Sequence, residues 1–176
     1  SLYRLYLESY QNFITRLETI NIDGKVLEIG SGAGFIKEIY PKIITSDIIP
    51  YKNIDLVIDA TKDLKLSNNS CKAILLHNVI HHIPDTESMF KKLEKVLAPG
   101  GLIYIIEPYG GIMSEFIHKN FHHESFEKNI TDWKFESTGP LSSANAALSW
   151  VIFERDIEKF NKLYPSLEMV KYQPHS

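Results

Sequence analysis

Three glycines at alternate positions follow a short apolar segment early in the chain. Residues 26–34 read V-L-E-I-G-S-G-A-G, which places Gly30, Gly32 and Gly34 directly after a predicted strand. Glycine has no side chain, so the backbone there can turn sharply and approach a ligand closely. A helix that begins after such a turn presents free backbone N–H groups at its first turn. The segment therefore predicts a nucleotide-type binding site.

The residues around these glycines indicate the class of ligand. The dinucleotide fingerprint G-x-G-x-x-G needs glycine or alanine at position 35, where this chain has Phe35. Glu28, two residues before Gly30, would repel a diphosphate but attract a cation. S-adenosylmethionine carries an ammonium and a sulfonium group. The charge of Glu28 therefore favours that cofactor and disfavours a nicotinamide-dependent oxidoreductase.

The elements that must position this loop follow from apolar spacing and turn residues. Apolar residues at helical spacing predict a first helix over residues 2–19, and a short helix follows Gly34 until Pro41. Asp85 is a predicted cap for a helix over residues 86–97. Two further helices are predicted over residues 112–121 and 143–163. The predicted strands cover residues 25–29, 43–47, 55–58, 72–77, 102–107 and 167–172.

Strands that alternate with helices predict an α/β fold with a mostly parallel sheet. We expect one domain over residues 1–176, with a three-layer Rossmann-like architecture and helices on both faces of the sheet. Within it, residues 1–22 form an N-terminal helical segment, and residues 108–165 form an inserted region on the acceptor side.

The motif E-x-G-x-G-x-G resembles the glycine loop of class I S-adenosylmethionine-dependent methyltransferases. The chain is similar to their small-molecule branch, the type 11 or quinone-biosynthesis methyltransferases. Further matching segments follow in order between residues 25 and 107. They are T-S-D-I at 45–48, D-A at 59–60, L-H-N-V-I-H-H-I-P-D at 76–85 and V-L-A-P-G-G-L at 96–102.

This resemblance implies a role for residues after each of the first four strands. In the family, the position of Asp47 holds the ribose hydroxyls, and that of Asp59 reads the adenine amino group between apolar side chains. His77 and Asn78 correspond to the segment along the methionine part of the cofactor. The expected cofactor-binding set is Glu28, Gly30, Gly32, Gly34, Asp47, Ile48, Asp59, Ala60, His77 and Asn78. The family's sheet has a further C-terminal strand, which this chain lacks or has altered.

The resemblance implies methyl transfer to a small-molecule acceptor and release of S-adenosylhomocysteine. A metabolite, a quinone-like ring, a sugar or a lipid intermediate would all suit, and methylation at O, N or C stays open. The alternative is a non-catalytic S-adenosylmethionine-binding partner or regulatory protein, which would share every cofactor motif. Oligomeric state is not predicted.

Histidines supply the candidates for a catalytic base, because histidine titrates near neutral pH. His82 follows the fourth strand and His123 follows the fifth, and these two are the predicted catalytic residues. A packing role for His81 and His82 is the alternative. His118 and His122 have the spacing of two metal ligands on a helix, with His123 and Glu124 beside them, but a third ligand and its spacing are not established, so no metal is predicted.

Composition argues against several other classes of protein. The net charge of −3 provides no broad positive field for nucleic acid. Apolar runs are strand-sized, so no membrane span is expected. Cys71 is the only cysteine, which fits a reducing cytoplasm. Most aromatic residues follow Glu107, where they form either a core or an apolar acceptor pocket.

Overall fold

The computed structural model describes residues 2–107 and 125–173. Within them the chain forms two compact units. The first unit comprises residues 2–77 and 95–106, and the second comprises residues 78–94, 107 and 125–173. The organisation of residues 1–176 as one domain stays a prediction, as does the acceptor-side role of residues 108–165. No helix of the described part is long and apolar enough to cross a membrane.

The first unit contains a five-stranded sheet in the order β3-β2-β1-β4-β5. Its strands are β1 (Lys25–Ile29), β2 (Ile44–Asp47), β3 (Leu56–Val57), β4 (Cys71–His77) and β5 (Leu97–Ile106). Every neighbouring pair is parallel. This confirms the predicted α/β fold with a parallel sheet. Because β1 is central and parallel to β2 and β4, the segments that follow these three strands lie at one edge.

Helix α1 (Leu2–Leu17) supplies much of the core of the first unit. Its residues Tyr10, Phe13 and Leu17 are buried in one cluster with Val26 and Leu75 of the sheet. These α1 residues recur at three- and four-residue spacing, so they lie on one face of the helix. The predicted helix over residues 2–19 is therefore confirmed, two residues shorter at its end.

Shorter helices complete the described structure. A single 3₁₀ turn at Phe35–Glu38 replaces the short helix predicted after Gly34, and another covers Ile80–His82. Helix α2 (Thr86–Val96) begins as predicted, because the Asp85 carboxylate accepts the Ser88 N–H at 2.9 Å. The remaining helices are α3 (Leu148–Trp150), a π-helical turn (Val151–Arg155) and α4 (Ile157–Leu163).

Two predicted elements of the second unit also differ from the structure. The helix predicted over residues 143–163 begins only at Leu148 and is interrupted before Ile157. Within the described residues up to 173 no strand follows β5, so the strand predicted over residues 167–172 is wrong. Val170 is 70% exposed and Tyr172 is 40% exposed, so this segment has no buried face to fix it in a sheet. The helix predicted over residues 112–121 lies outside the described residues.

Candidate functional site

The glycine loop after β1 is the predicted tight turn. Gly30, Gly32 and Gly34 have φ values of 70°, 52° and 73°, a left-handed region that disfavours other residues. The Ser31 N–H donates to the Ser46 carbonyl at 2.9 Å, which joins the loop to β2. A side chain at Gly32 would meet no atom within 4 Å. The space beside Gly32 is therefore open to a ligand.

Asp47 connects the end of β2 to the glycine loop. One of its carboxylate oxygens accepts the Gly32 N–H at 2.9 Å, and the other accepts the Ile49 N–H at 2.9 Å. These two bonds fix the carboxylate, and each oxygen keeps capacity for a further donor such as a hydroxyl. Ile48 beside it is 39% exposed. The ribose role of Asp47 and the contact from Ile48 stay predictions.

Glu28 is buried at the end of β1, with only 1% of its surface exposed. Its Oε2 atom has no hydrogen-bond partner among the described residues. Burial raises the pKa of Glu28 to about 7, and the Asp47 charge adds to the rise, although Ser31 and Tyr10 oppose it. A buried carboxylate with an unused oxygen is costly unless a cation neutralises it. The residues present therefore fit a positively charged ligand.

Asp59 follows β3 and closes a local turn. One carboxylate oxygen accepts the backbone N–H of Thr61 at 2.9 Å and its hydroxyl at 2.7 Å, while the other pairs with Lys62 at 3.2 Å. Burial would raise the pKa of Asp59, but Thr61 and Lys62 outweigh it and hold that pKa below its usual range. Ala60 is buried behind this turn. The adenine contacts of Asp59 and Ala60 stay predictions.

His77 ends β4, and Asn78 begins the next segment. The His77 ring lies 4.3 Å from the Tyr6 ring and 5.4 Å from the Tyr10 ring, measured between centroids. Asn78 has a φ of 56°, which is rare for a residue with a side chain and is often found at functional sites. Their contact with the cofactor stays a prediction.

A cavity of about 540 Å³ lies beside the 3₁₀ turn that follows the glycine loop. Its wall includes Gly34 and the ion pair between Lys37 and Asp55, whose atoms are 2.5 Å apart. None of the carboxylates of Glu28, Asp47 and Asp59 lines it. Of the predicted cofactor set, Gly34 is the residue that lines this cavity.

The second unit contains a buried histidine and carboxylate pair that sequence reasoning missed. His81 Nδ1 lies 2.6 Å from the Glu107 carboxylate, and both side chains are at most 6% exposed. The other Glu107 oxygen accepts the N–H groups of Val79 and Ile80 at 2.6 Å each. Since the carboxylate accepts throughout, Nδ1 of His81 must donate to it. The sequence does show Glu107 directly after the apolar segment of β5. No pattern in the sequence, however, indicates that this acid pairs with His81.

Of the two predicted catalytic histidines, the structure describes His82 but not His123. The His82 ring lies 4.1 Å from the His81 ring between centroids, so it packs against the histidine that Glu107 holds. His123 lies outside the described residues, as do His118 and His122. No cluster of three metal-ligating side chains occurs within residues 2–107 and 125–173. The catalytic roles of His82 and His123 stay predictions.

Residues 3–150 match the model of a protein family described as a methyltransferase domain. The chain belongs to this methyltransferase-domain family. The match extends over α1, the whole sheet and the His81–Glu107 pair. Together with the fold, it confirms the predicted resemblance to class I methyltransferases. The type 11 or quinone-biosynthesis branch is not confirmed and stays a prediction.

Individual relatives of this methyltransferase domain are distant or cover only part of it. A probable polyketide synthase of Dictyostelium discoideum is 33% identical over 92 residues, which is 49% of this chain. This chain spans only 3% of the length of that protein. The PH0226 protein of Pyrococcus horikoshii OT3 is 20% identical with a TM-score of 0.50, covering 65% of this chain and 58% of the other. The latter likeness shows the fold.

A solved structure from Aquifex aeolicus, described as a SAM-dependent methyltransferase, is also similar to this chain. It is 16% identical with a TM-score of 0.48, and the match covers 58% of this chain and 65% of that one.

Proposed function

We propose that this methyltransferase domain transfers a methyl group from S-adenosylmethionine to a small-molecule acceptor. The observation that carries the proposal is Glu28, a buried carboxylate directly before the glycine loop, with one oxygen that has no partner among the described residues. An ammonium or sulfonium group would offset the cost of that buried charge, whereas a diphosphate would add to it.

The glycines, Asp47 and Asp59 of the first unit have distinct tasks in this proposal. The glycines of residues 30–34 allow close approach of the backbone. Asp47 accepts the ribose hydroxyls and is already oriented by two backbone N–H groups, so little is lost in ordering it. Asp59 reads the adenine amino group. Bound S-adenosylmethionine supplies a methyl group on a cationic sulfur, and the main task of the protein is then alignment and exclusion of water.

The His81–Glu107 pair supports a role in removing a proton from the acceptor. With Nδ1 of His81 donating to Glu107, a neutral ring presents Nε2 as its basic nitrogen. General bases of this kind typically contribute 10²–10⁴-fold to a rate. A hydroxyl acceptor generally requires such a base, as do some activated carbon acceptors, whereas a neutral amine does not. We therefore favour O- or C-methylation, of which an acyl chain of the polyketide type is one candidate.

Calorimetric titration of the full chain with S-adenosylhomocysteine at pH 8, where Glu28 is ionised, tests the cofactor. We expect micromolar binding by the wild type, at least tenfold weaker binding by Glu28→Gln, and none of NADH by either protein. A folded sample that binds NADH but not S-adenosylhomocysteine would contradict the proposal. Transfer of labelled methyl groups to a panel of hydroxyl, carbon-acid and amine acceptors then separates an enzyme from a binding protein.

A further inference from the structure

Two buried serines join the glycine loop to the neighbouring strand β2. Ser31 lies in the loop and Ser46 in β2, and they are 6% and 0% exposed. The Ser46 hydroxyl donates to the Glu28 carbonyl at 2.7 Å, and the Ser46 N–H donates to the Ser31 hydroxyl at 3.1 Å. The Ser31 N–H donates back to the Ser46 carbonyl at 2.9 Å. The two serines are thus bonded to each other, and Ser46 also holds the backbone of Glu28.

Asp47 adds a further connection between β2 and the same loop. It follows Ser46 directly, and its carboxylate accepts the Gly32 N–H at 2.9 Å. The Ser31 hydroxyl also lies 3.4 Å from the Glu28 carbonyl, which makes this the longer and weaker of the two hydroxyl contacts to that carbonyl. The backbone from Glu28 to Gly32 is therefore held by two successive residues of one strand.

A loop with three glycines benefits from such support, because glycine has more backbone freedom to lose than any other residue. If that freedom were lost only when a ligand binds, the affinity for the ligand would be lower. Hydrogen bonds from buried groups order the loop in the free protein instead. Such bonds are hard to replace with bonds to water, because a buried carbonyl that loses its donor stays unsatisfied.

We propose that Ser31 and Ser46 are positioning residues of the cofactor site, which hold the glycine loop in its ligand-binding conformation before the cofactor binds. This inference rests on the proposed function, because that function assigns the loop to S-adenosylmethionine. Both hydroxyls are already engaged with protein atoms, so they act through the backbone of the loop. Loss of either hydroxyl should therefore weaken binding without removing a direct contact to the cofactor.

Thr45 supplies a matched control within β2. It precedes Ser46 and is also 0% exposed. Its hydroxyl donates to the Asn53 carbonyl at 3.2 Å and to the Asp55 carboxylate at 3.0 Å, rather than to the glycine loop. Thr45→Val and Ser46→Ala each delete one buried hydroxyl from the same strand. Both variants should therefore melt at a lower temperature than wild type, and a comparison of their affinities separates loop positioning from general destabilisation.

The test is calorimetric titration of the full chain with S-adenosylhomocysteine at pH 8. We expect Ser46→Ala to bind about tenfold more weakly than wild type, because it loses a buried hydrogen bond that holds the loop. Ser31→Ala should also bind more weakly, whereas Thr45→Val should bind like wild type. Equal affinities of Ser46→Ala and wild type would overturn the inference, as would an equal loss of affinity in Thr45→Val.

A measurement without ligand separates this inference from the proposed function. Hydrogen exchange of the Gly32 amide, followed by NMR and assigned by its absence in Gly32→Ala, reports how firmly the loop is held. We expect exchange to be about tenfold faster in Ser46→Ala and unchanged in Thr45→Val. Unchanged exchange in Ser46→Ala would refute the role of the serines even if the wild type binds the ligand. Faster exchange in that variant, with no binding by the wild type, would instead contradict the proposed function and leave the serines without a cofactor site to position.

Discussion

Ionised Glu28 destabilises the folded protein when no ligand is bound. Its pKa is raised from 4.5 to about 7 in the folded chain, because it is buried. The folded state therefore binds the proton more tightly than the unfolded state. The resulting stabilisation is complete below pH 4.5 and is lost as the pH rises through about 7. A pKa shift of one unit corresponds to about 1.36 kcal/mol, so the stabilisation lost between these pH values is about 3 kcal/mol.

Glu28→Gln should remove this loss, because glutamine has no charge to bury. We expect the variant without ligand to melt roughly 5 °C or more above wild type at pH 8, with the difference vanishing near pH 4.5. Thermal unfolding followed by circular dichroism at both pH values measures it. Glu18→Gln, at an exposed position of the same chain, serves as the control and should change neither melting temperature. Equal melting temperatures of Glu28→Gln and wild type at pH 8 would show that ionised Glu28 does not destabilise the folded protein.

The tautomer of His81 depends on Glu107. In Glu107→Gln the amide oxygen can still accept the Val79 and Ile80 N–H groups, which leaves the amide NH₂ facing Nδ1 of His81. The ring should then move its proton to Nε2 and lose the nitrogen that would serve as the base. Nitrogen-15 NMR of labelled histidine detects this switch without any acceptor. Once an acceptor is known, turnover should fall 10²–10⁴-fold.

Cofactor affinity supplies the control for that prediction. S-adenosylhomocysteine should bind Glu107→Gln within about threefold of wild type, since Glu107 is not one of the predicted cofactor residues. A histidine that keeps its Nδ1 proton in the variant would remove the basis for treating this pair as a base. His82→Asn, in which the neighbouring ring is lost, should leave the His81 tautomer unchanged.

At the scale of elements, the loop between β1 and the 3₁₀ turn combines backbone strain with open space. Gly32 and Gly100 both have positive φ, and neither would have an atom within 4 Å of an added side chain. Alanine at either position should therefore cost about 1–2 kcal/mol of stability through strain alone. Gly24 differs, because a side chain there would lie 2.6 Å from the Lys72 backbone nitrogen.

Gly32→Ala should abolish S-adenosylhomocysteine binding or weaken it more than tenfold, because the added methyl group would occupy the space beside the loop. Gly100→Ala should be destabilised to a similar degree yet bind like wild type. Calorimetry and thermal unfolding of the two variants together make the comparison. Normal binding by Gly32→Ala would show that the ligand does not approach the backbone there.

At the scale of the whole molecule, the predicted cofactor residues are unevenly distributed. All of them except Asn78 belong to the first unit, whereas His81, His82 and Glu107 belong to the second. S-adenosylhomocysteine should therefore slow amide hydrogen exchange in residues 30–34 and 46–49, and leave α4 unchanged. Hydrogen exchange with mass spectrometry tests this. Protection confined to the second unit would mean that the site was assigned to the wrong residues.

Much of the sheet could be predicted from sequence, because parallel strands appear as short apolar runs separated by turns. The last strand could not. Residues 167–172 are rich in apolar residues, but an apolar segment becomes a strand only where one face is buried, and Val170 is 70% exposed. For Asp59, likewise, the sequence did not reveal the partners of the side chain. Its position suggested a ligand contact, and only the structure revealed that Thr61 and Lys62 already engage the carboxylate.

The sequence by itself determined the glycine turn, the acid before it and the order of the strands, because each depends on neighbouring residues or on local spacing. Only the tertiary structure decided which distant side chains meet. Glu107 lies 26 residues after His81, and Tyr10 belongs to a helix outside the glycine motif. Their partners depend on how strand ends and helix faces come together in three dimensions, and no local pattern encodes that. The alignment of β1 beside β4 beneath α1 therefore brings Tyr6 and Tyr10 against His77.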